Sequence, residues 1–174
     1  MTNTQVVFRG KVVNISHDQV ALPNGRTAEL EVIHHPGGAA VVAIDAGGRV
    51  CVLRQFRHAA GGWIWELPAG KLEPNEPPLA TATRELEEEA GRRAARWDSL
   101  GRMLSSPGVF DEVIHLYLAR ELTEVALNHE VHESIEVHWL PVAQALRQAQ
   151  TGEILDGKTI AGLFRAQALL EVQA

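Results

Sequence analysis

The sequence predicts an α/β fold preceded by a small antiparallel sheet. Three observations carry that reading. Residues 6–33 alternate short β-rich runs with turn signals, residues 39–44 are apolar throughout, and residues 77–90 have helical periodicity bounded by prolines and a glycine. A chain of 174 residues with 45% hydrophobic and 22% charged residues can bury a core of normal size, as one domain or one domain with a small appendage.

In chain order, Val6-Val7-Phe8 and Val12-Val13-Asn14-Ile15 flank the turn at Arg9-Gly10. Pro23-Asn24-Gly25 is a second turn, with Asn-Gly suited to positive φ, and residues 28–33 alternate again. His35-Pro36-Gly37-Gly38 breaks the pattern and marks a boundary. The apolar run 39–44 reads as a strand buried on both faces. Asp45-Ala46-Gly47-Gly48 then turns the chain into residues 49–55, and the two runs read as a hairpin. Residues 77–90 form a helix with Pro77 and Pro78 in its first turn and Gly91 as its stop. Residues 113–118 and 135–140 are further strands, and residues 141–150 and 159–172 further helices.

Composition excludes several classes. The net charge is −6 with no basic stripe, so long nucleic acid is not an expected partner. An acidic chain can still hold a small anion if a cation mediates. Cys51 is the sole cysteine, which rules out an internal disulfide, and its apolar run makes it a buried small hydrophobe. The N-terminus has no basic segment followed by an apolar run, and no apolar stretch is long enough to span a bilayer. The expected location is the cytoplasm.

The informative segment is the acidic helix. At about 100° per residue, Leu79, Ala82, Leu86 and Ala90 share a face that should pack on a sheet, while Glu85, Glu88 and Glu89 fall together beside it. Like charges four apart cost roughly 0.2–0.5 kcal/mol per pair, and acids near a helix C-terminus oppose its macrodipole. A divalent cation would offset both penalties, and carboxylate oxygens suit Mg²⁺ or Mn²⁺ better than zinc. A solvated acidic face is the competing reading from charge pattern alone.

The wider segment resolves that choice through a resemblance. Gly70, five residues, Glu76, seven residues, Arg84-Glu85-Leu86, then Glu88-Glu89 and Gly91 resemble the Nudix box, with only Arg92 standing where an apolar residue is usual. The resemblance implies an α/β/α sandwich with a mixed sheet. It implies metal binding by Glu85, Glu88 and Glu89, together with the main-chain carbonyl of Ala69. Gly70 and Glu76 would support the loop, and Arg84 would orient the glutamates. Trp65-Glu66-Leu67-Pro68-Ala69-Gly70 and Arg54-Gln55-Phe56-Arg57 look like the approach to the box in the ADP-ribose pyrophosphatase branch of that family. Pro107, in Ser106-Pro107-Gly108, stands where a proline is similar to the branch's marker for ADP-ribose hydrolysis. Asp156-Gly157-Lys158-Thr159 resembles the start of the family's last helix.

The activity implied by the resemblance is Mg²⁺-dependent hydrolysis of the pyrophosphate link of a nucleotide sugar, foremost ADP-ribose to AMP and ribose 5-phosphate. GDP-mannose or another nucleotide sugar, and a fold that senses such a ligand without cutting it, are the alternatives. Arg54, Arg57, Glu112 and Pro107 are the candidate substrate contacts, with Arg57 preferred over Arg54 for gripping phosphate or ribose. Glu133, Glu130 and Glu88 are the candidate catalytic carboxylates, and Glu133 also aligns with a loop ligand that completes the metal site. Val131 occupies the position expected for the general base, a departure from the pattern. His129 and His132 are read as loop residues, and Phe8, Trp63 and Trp65 as packing or base-stacking aromatics. Residues 1–38 are read as an N-terminal β-sheet region in a homodimer interface, and residues 39–174 as the hydrolase domain.

Overall fold

The computed structural model describes residues 3–129 and 134–173. Strands β1 (Asn3–Arg9), β2 (Asn14–Ala21) and β3 (Thr27–His34) form an antiparallel sheet by themselves. A four-stranded mixed sheet has the order β7 (Ala69–Lys71), β4 (Gly38–Ala43), β9 (Val113–Glu124) and β8 (Arg92–Leu104). In it β4 runs parallel to β9, and the other pairings are antiparallel. A third, antiparallel sheet holds β10 (Ile135–Pro141), β5 (Arg49–Arg57) and β6 (Gly62–Glu66).

Strand periodicity splits the core in two. Ala40 and Val42 of β4 face one way, with Leu163 and Ala166 of helix α3 (Gly157–Gln173) and Leu146 of helix α2 (Val142–Thr151). Ala39, Val41 and Ala43 face the other way, with Ala82, Leu86 and Ala90 of helix α1 (Pro78–Ala90). The mixed sheet is therefore clad by helices on both faces, the expected α/β/α sandwich. All six residues of β4 are buried, as its unbroken apolar run requires. Cys51 lies fully buried, and burial pushes its thiol up to about 12.

Four local expectations are corrected. The runs 39–44 and 49–55 do not pair as a hairpin. Strand β4 has β7 on one side and β9 on the other, so β5 joins the third sheet. Among the described residues a single bridge, Ile44 to Val50, is left between the two runs. Strand β8 is an element the sequence did not announce, because its burial follows no clear alternation and it carries four arginines. Strand β9 runs on to Glu124, since β8 supplies a partner that far. Leu79 is 41% exposed rather than packed, and Thr81 takes the buried place in the first turn of α1. Among the described residues, no helix is long and apolar enough to cross a membrane.

Candidate active site

The short strand β7 and the helix α1 are joined by a loop that folds on itself. Glu73 and Glu76 close it through two bonds: the Glu76 amide donates to the Glu73 carbonyl at 3.0 Å, and the Glu73 amide donates to Glu76 Oε2 at 3.2 Å. Asn75, at φ 64°, makes the tight turn, a conformation its short polar side chain tolerates. Glu76 then reaches the helix, where Oε2 accepts from Thr81 Oγ1 at 2.8 Å and Oε1 accepts from Arg84 Nε at 3.3 Å. The bonds from Arg84, partly opposed by desolvation, bring the Glu76 carboxyl down to about 2.

Arg84 is the hub between loop and helix. Its Nη1 donates to Glu85 Oε1 at 2.6 Å and to Glu88 Oε2 at 3.0 Å. These charge-assisted bonds fix two carboxylates on neighbouring turns. Glu89, 2% exposed, accepts the Ala69 amide on Oε2 at 2.8 Å, which ties the end of α1 to β7. Gly70 explains how strand and helix come so close. A Cβ there would stand 1.8 Å from Glu85 Oε1, so only glycine leaves the carboxylate its place.

Glu85, Glu88 and Glu89 line a cleft of about 510 Å³, together with Ala69 and Gly70. Arg57 and Lys158 stand among its other walls. Glu66, 3% exposed, holds both: it accepts from Arg57 Nε at 2.9 Å and Nη2 at 2.8 Å, and from Lys158 Nζ at 3.0 Å. Burial alone would raise the Glu66 carboxyl, yet Arg57 and Lys158 hold it below the ordinary range. Lys158 also bonds Asp156 Oδ1 at 3.0 Å, and Asp156 Oδ2 caps α3 by accepting the Thr159 amide at 2.9 Å. The buried Thr159 hydroxyl accepts the Leu67 amide at 2.8 Å, so the start of α3 is fastened to the segment leading into β7.

The expected site residues divide into three groups. Ala69, Gly70, Arg84, Glu85, Glu88, Glu89, Arg57 and Glu112 all line this cleft, and Glu76 braces it through Arg84. Arg54 and Pro107 do not line it. Arg54 is exposed, with its guanidinium 5.7 Å from the Trp65 ring centre, and Pro107 lies in an exposed turn. Glu130, Val131, His132 and Glu133 lie outside the described residues. His129 sits beside the end of α1, with Nε2 2.9 Å from the Glu89 carbonyl oxygen. Trp65 packs against the core, whereas Trp63 and Phe8 are 44% and 52% exposed. Sequence reasoning missed His35, Lys71, Glu73, Met103, Ser105 and Lys158 as cleft residues. A signal for Lys158 does exist in the chain: Arg57, Glu66 and Lys158 all lie in segments that carry the family resemblance, and a buried acid between two cations needs both.

Charge decides what the cleft can hold. Four basic side chains and six carboxylates line it, so its net charge is negative and a bound cation would favour a diphosphate there. The donors at the helix end are carboxylate oxygens, the ligand class of hard divalent cations, and they fit such an ion chemically. Among the described residues no three His, Cys, Asp or Glu already stand in metal-ligating geometry, and Arg84 spans Glu85 and Glu88 instead.

Known proteins share this architecture. The NUDIX domain matches residues 34–163, so the chain belongs to the Nudix family and is a Nudix hydrolase. Hydrolases of this family generally need a divalent metal. An ADP-ribose pyrophosphatase of Mycobacterium tuberculosis is 38% identical over 96% of this chain and 82% of the relative. One of Bacillus subtilis is 37% identical over 97% of this chain and 92% of its own length. A crystal structure described as an ADP compounds hydrolase superposes with a TM-score of 0.85 at 19% identity, covering 99% of this chain and 94% of that one, which supports the fold.

Proposed function

We propose that this chain hydrolyses the pyrophosphate link of ADP-ribose, giving AMP and ribose 5-phosphate. The observation that carries the reading is that Glu85, Glu88 and Glu89 line, with Arg84, a cleft that Arg57 and Lys158 also line. Support for the substrate comes from the two ADP-ribose pyrophosphatases, each alike over nearly this whole chain.

Mg²⁺, with Mn²⁺ as a substitute, would be held by Glu85, Glu88, Glu89 and the Ala69 carbonyl, with Glu133 completing the set. When bound, it supplies neutralising charge to the phosphate oxygens and acidifies water. Arg84 keeps Glu85 and Glu88 oriented, and Glu76 keeps Arg84 in place. Arg57 and Lys158, fixed by Glu66, hold a phosphate in the cleft, which contributes positioning rather than covalent chemistry. Glu112 accepts a ribose hydroxyl. Glu133, Glu130 and Glu88 are the proposed carboxylates for taking the proton of the attacking water.

The chain works as a cytoplasmic homodimer in this reading. Residues 1–38 form the interface region and residues 39–174 the hydrolase domain. Arg54 and Pro107 reach substrate only from a neighbouring subunit's side.

Incubation of the protein with ADP-ribose and Mg²⁺ tests the proposal. Release of AMP is the expected result. Binding without AMP would favour a sensor, and faster cleavage of GDP-mannose would reassign the substrate.

A further inference from the structure

We infer that the N-terminal sheet positions Glu112 in the cleft through His34 and His35, two consecutive histidines paired with two consecutive carboxylates. The end of β3 docks on the loop ahead of β9. Its Ile33 amide donates to the Val109 carbonyl at 2.7 Å, and the Asp111 amide donates to the Ile33 carbonyl at 3.0 Å. Side chains then lock this short parallel pairing. His34 Nδ1 lies 2.6 Å from Asp111 Oδ2, and Asp111 Oδ1 accepts the His35 amide at 2.8 Å. A carboxylate only accepts, so His34 Nδ1 carries the proton and Nε2 can accept from Ser16 Oγ, 2.8 Å away.

Serine, histidine and aspartate in this order have the connectivity of a nucleophile relay. Ser16 has 0% exposure, however, so no substrate can reach its hydroxyl. The relay is an anchor from the middle of the N-terminal sheet to Asp111. The next pair carries the anchor into the cleft. His35 Nδ1 stands 3.2 Å from Glu112 Oε1, with side chains only 12% and 17% exposed, and both residues line the cleft. Phe110 braces the imidazole edge-on, with ring centres 5.4 Å apart. The Gly37 amide also points at Nδ1, at 3.1 Å. One nitrogen cannot accept from Gly37 and donate to Glu112 at once, so the proton on Nδ1 decides whether Glu112 is held. His35 is thus a positioning residue, and the wall that presents Glu112 belongs to the N-terminal sheet as much as to the hydrolase core.

The positioning stands on geometry alone; its effect on turnover rests on the pyrophosphatase reading. The full chain is therefore tested in two arms. In crystals, His35→Ala should let the Glu112 carboxylate leave the wall where His35 held it. Glu112 unmoved in that variant overturns the inference, whether or not the wild type cleaves ADP-ribose. In kinetics with ADP-ribose and Mg²⁺, His35→Ala should raise KM at least about fivefold with kcat within about twofold. His35→Asn, whose amide stands near Nδ1, should restore most of the loss. The double variant H35A/E112A should be no worse than E112A alone, because the two act as a unit. Multiplying effects would overturn the inference, and a wild type that leaves ADP-ribose intact would instead overturn the proposed substrate. If His35→Ala does not fold, His35→Asn against His35→Gln gives the same contrast, since glutamine sets its amide one methylene further out.

Discussion

Glu89 is a carboxylate with 2% exposure in the last turn of a helix, where the macrodipole opposes it, and Glu85 lies one turn behind. A buried acid in that place is costly unless positive charge and hydrogen bonds meet it. The Ala69 amide donates to Glu89, Arg84 donates to Glu85, and the proposed divalent cation would add positive charge beside both. Glu89→Gln keeps an acceptor for Ala69 and removes the charge. Its kcat for ADP-ribose should fall at least about tenfold, or about 1.4 kcal/mol in the barrier, with the fold retained. Unchanged AMP release from the folded variant would remove Glu89 from the ligand set. Glu76 gives a second test, of stability. Its folded carboxyl sits at about 2 against an ordinary 4.5, so its contribution is complete above 4.5 and is lost as the pH falls toward 2. Glu76→Gln should be less stable than the wild type at neutral pH and should lose less across that acid window, read from urea midpoints. Equal acid slopes would show that Arg84 does not depress this group.

The element that orders these residues is α1, and its ends are set locally. Pro77 and Pro78 open it, and Gly91 closes it at φ 61°, with its amide donating to the Leu86 and Glu87 carbonyls. Glu88 and Glu89 stand in the turn that Gly91 terminates. A Cβ on Gly91 would meet Leu127 Cγ at 3.0 Å and the Val125 carbonyl oxygen at 3.2 Å. Gly91→Ala should therefore cost about 1–2 kcal/mol from the left-handed backbone, and more if Leu127 does not give way. Denaturant unfolding measures it, and an unaltered midpoint would mean that the stop is not needed. This helix is legible in the sequence because periodicity, caps and stop all lie within one short stretch. The hairpin expected of residues 39–55 fails for the opposite reason. Its local signals are sound, yet β7 and β9 take both edges of β4, and neither competitor is visible from the turn. Strand β8 is illegible because its polar, arginine-bearing surface is strand only by virtue of β9.

For the whole molecule, the N-terminal sheet carries the surface on which the dimer proposal rests. Strand β1 is exposed along its length, and Val6, Val7 and Phe8 are 39%, 48% and 52% exposed. Apolar side chains gathered in that way suit an interface between two copies. In sedimentation the wild type should run at twice the 19.0 kDa of one chain, and Phe8→Asp should shift it toward the single-chain mass. A monomeric wild type would end the dimer proposal. The sequence by itself determined the acidic helix, its glycine stop, the brace at Glu76 and the family, because these depend on spacings along one short segment. Only the tertiary structure decided that Glu66 fastens Arg57 to Lys158, that Arg54 faces away on Trp65, and that His35 meets Glu112. Glu66 and Lys158, like His35 and Glu112, are far apart in the chain, and the other partners lie on neighbouring paired strands. They meet only after the strands have paired, and that pairing is chosen by competition among all the strands at once.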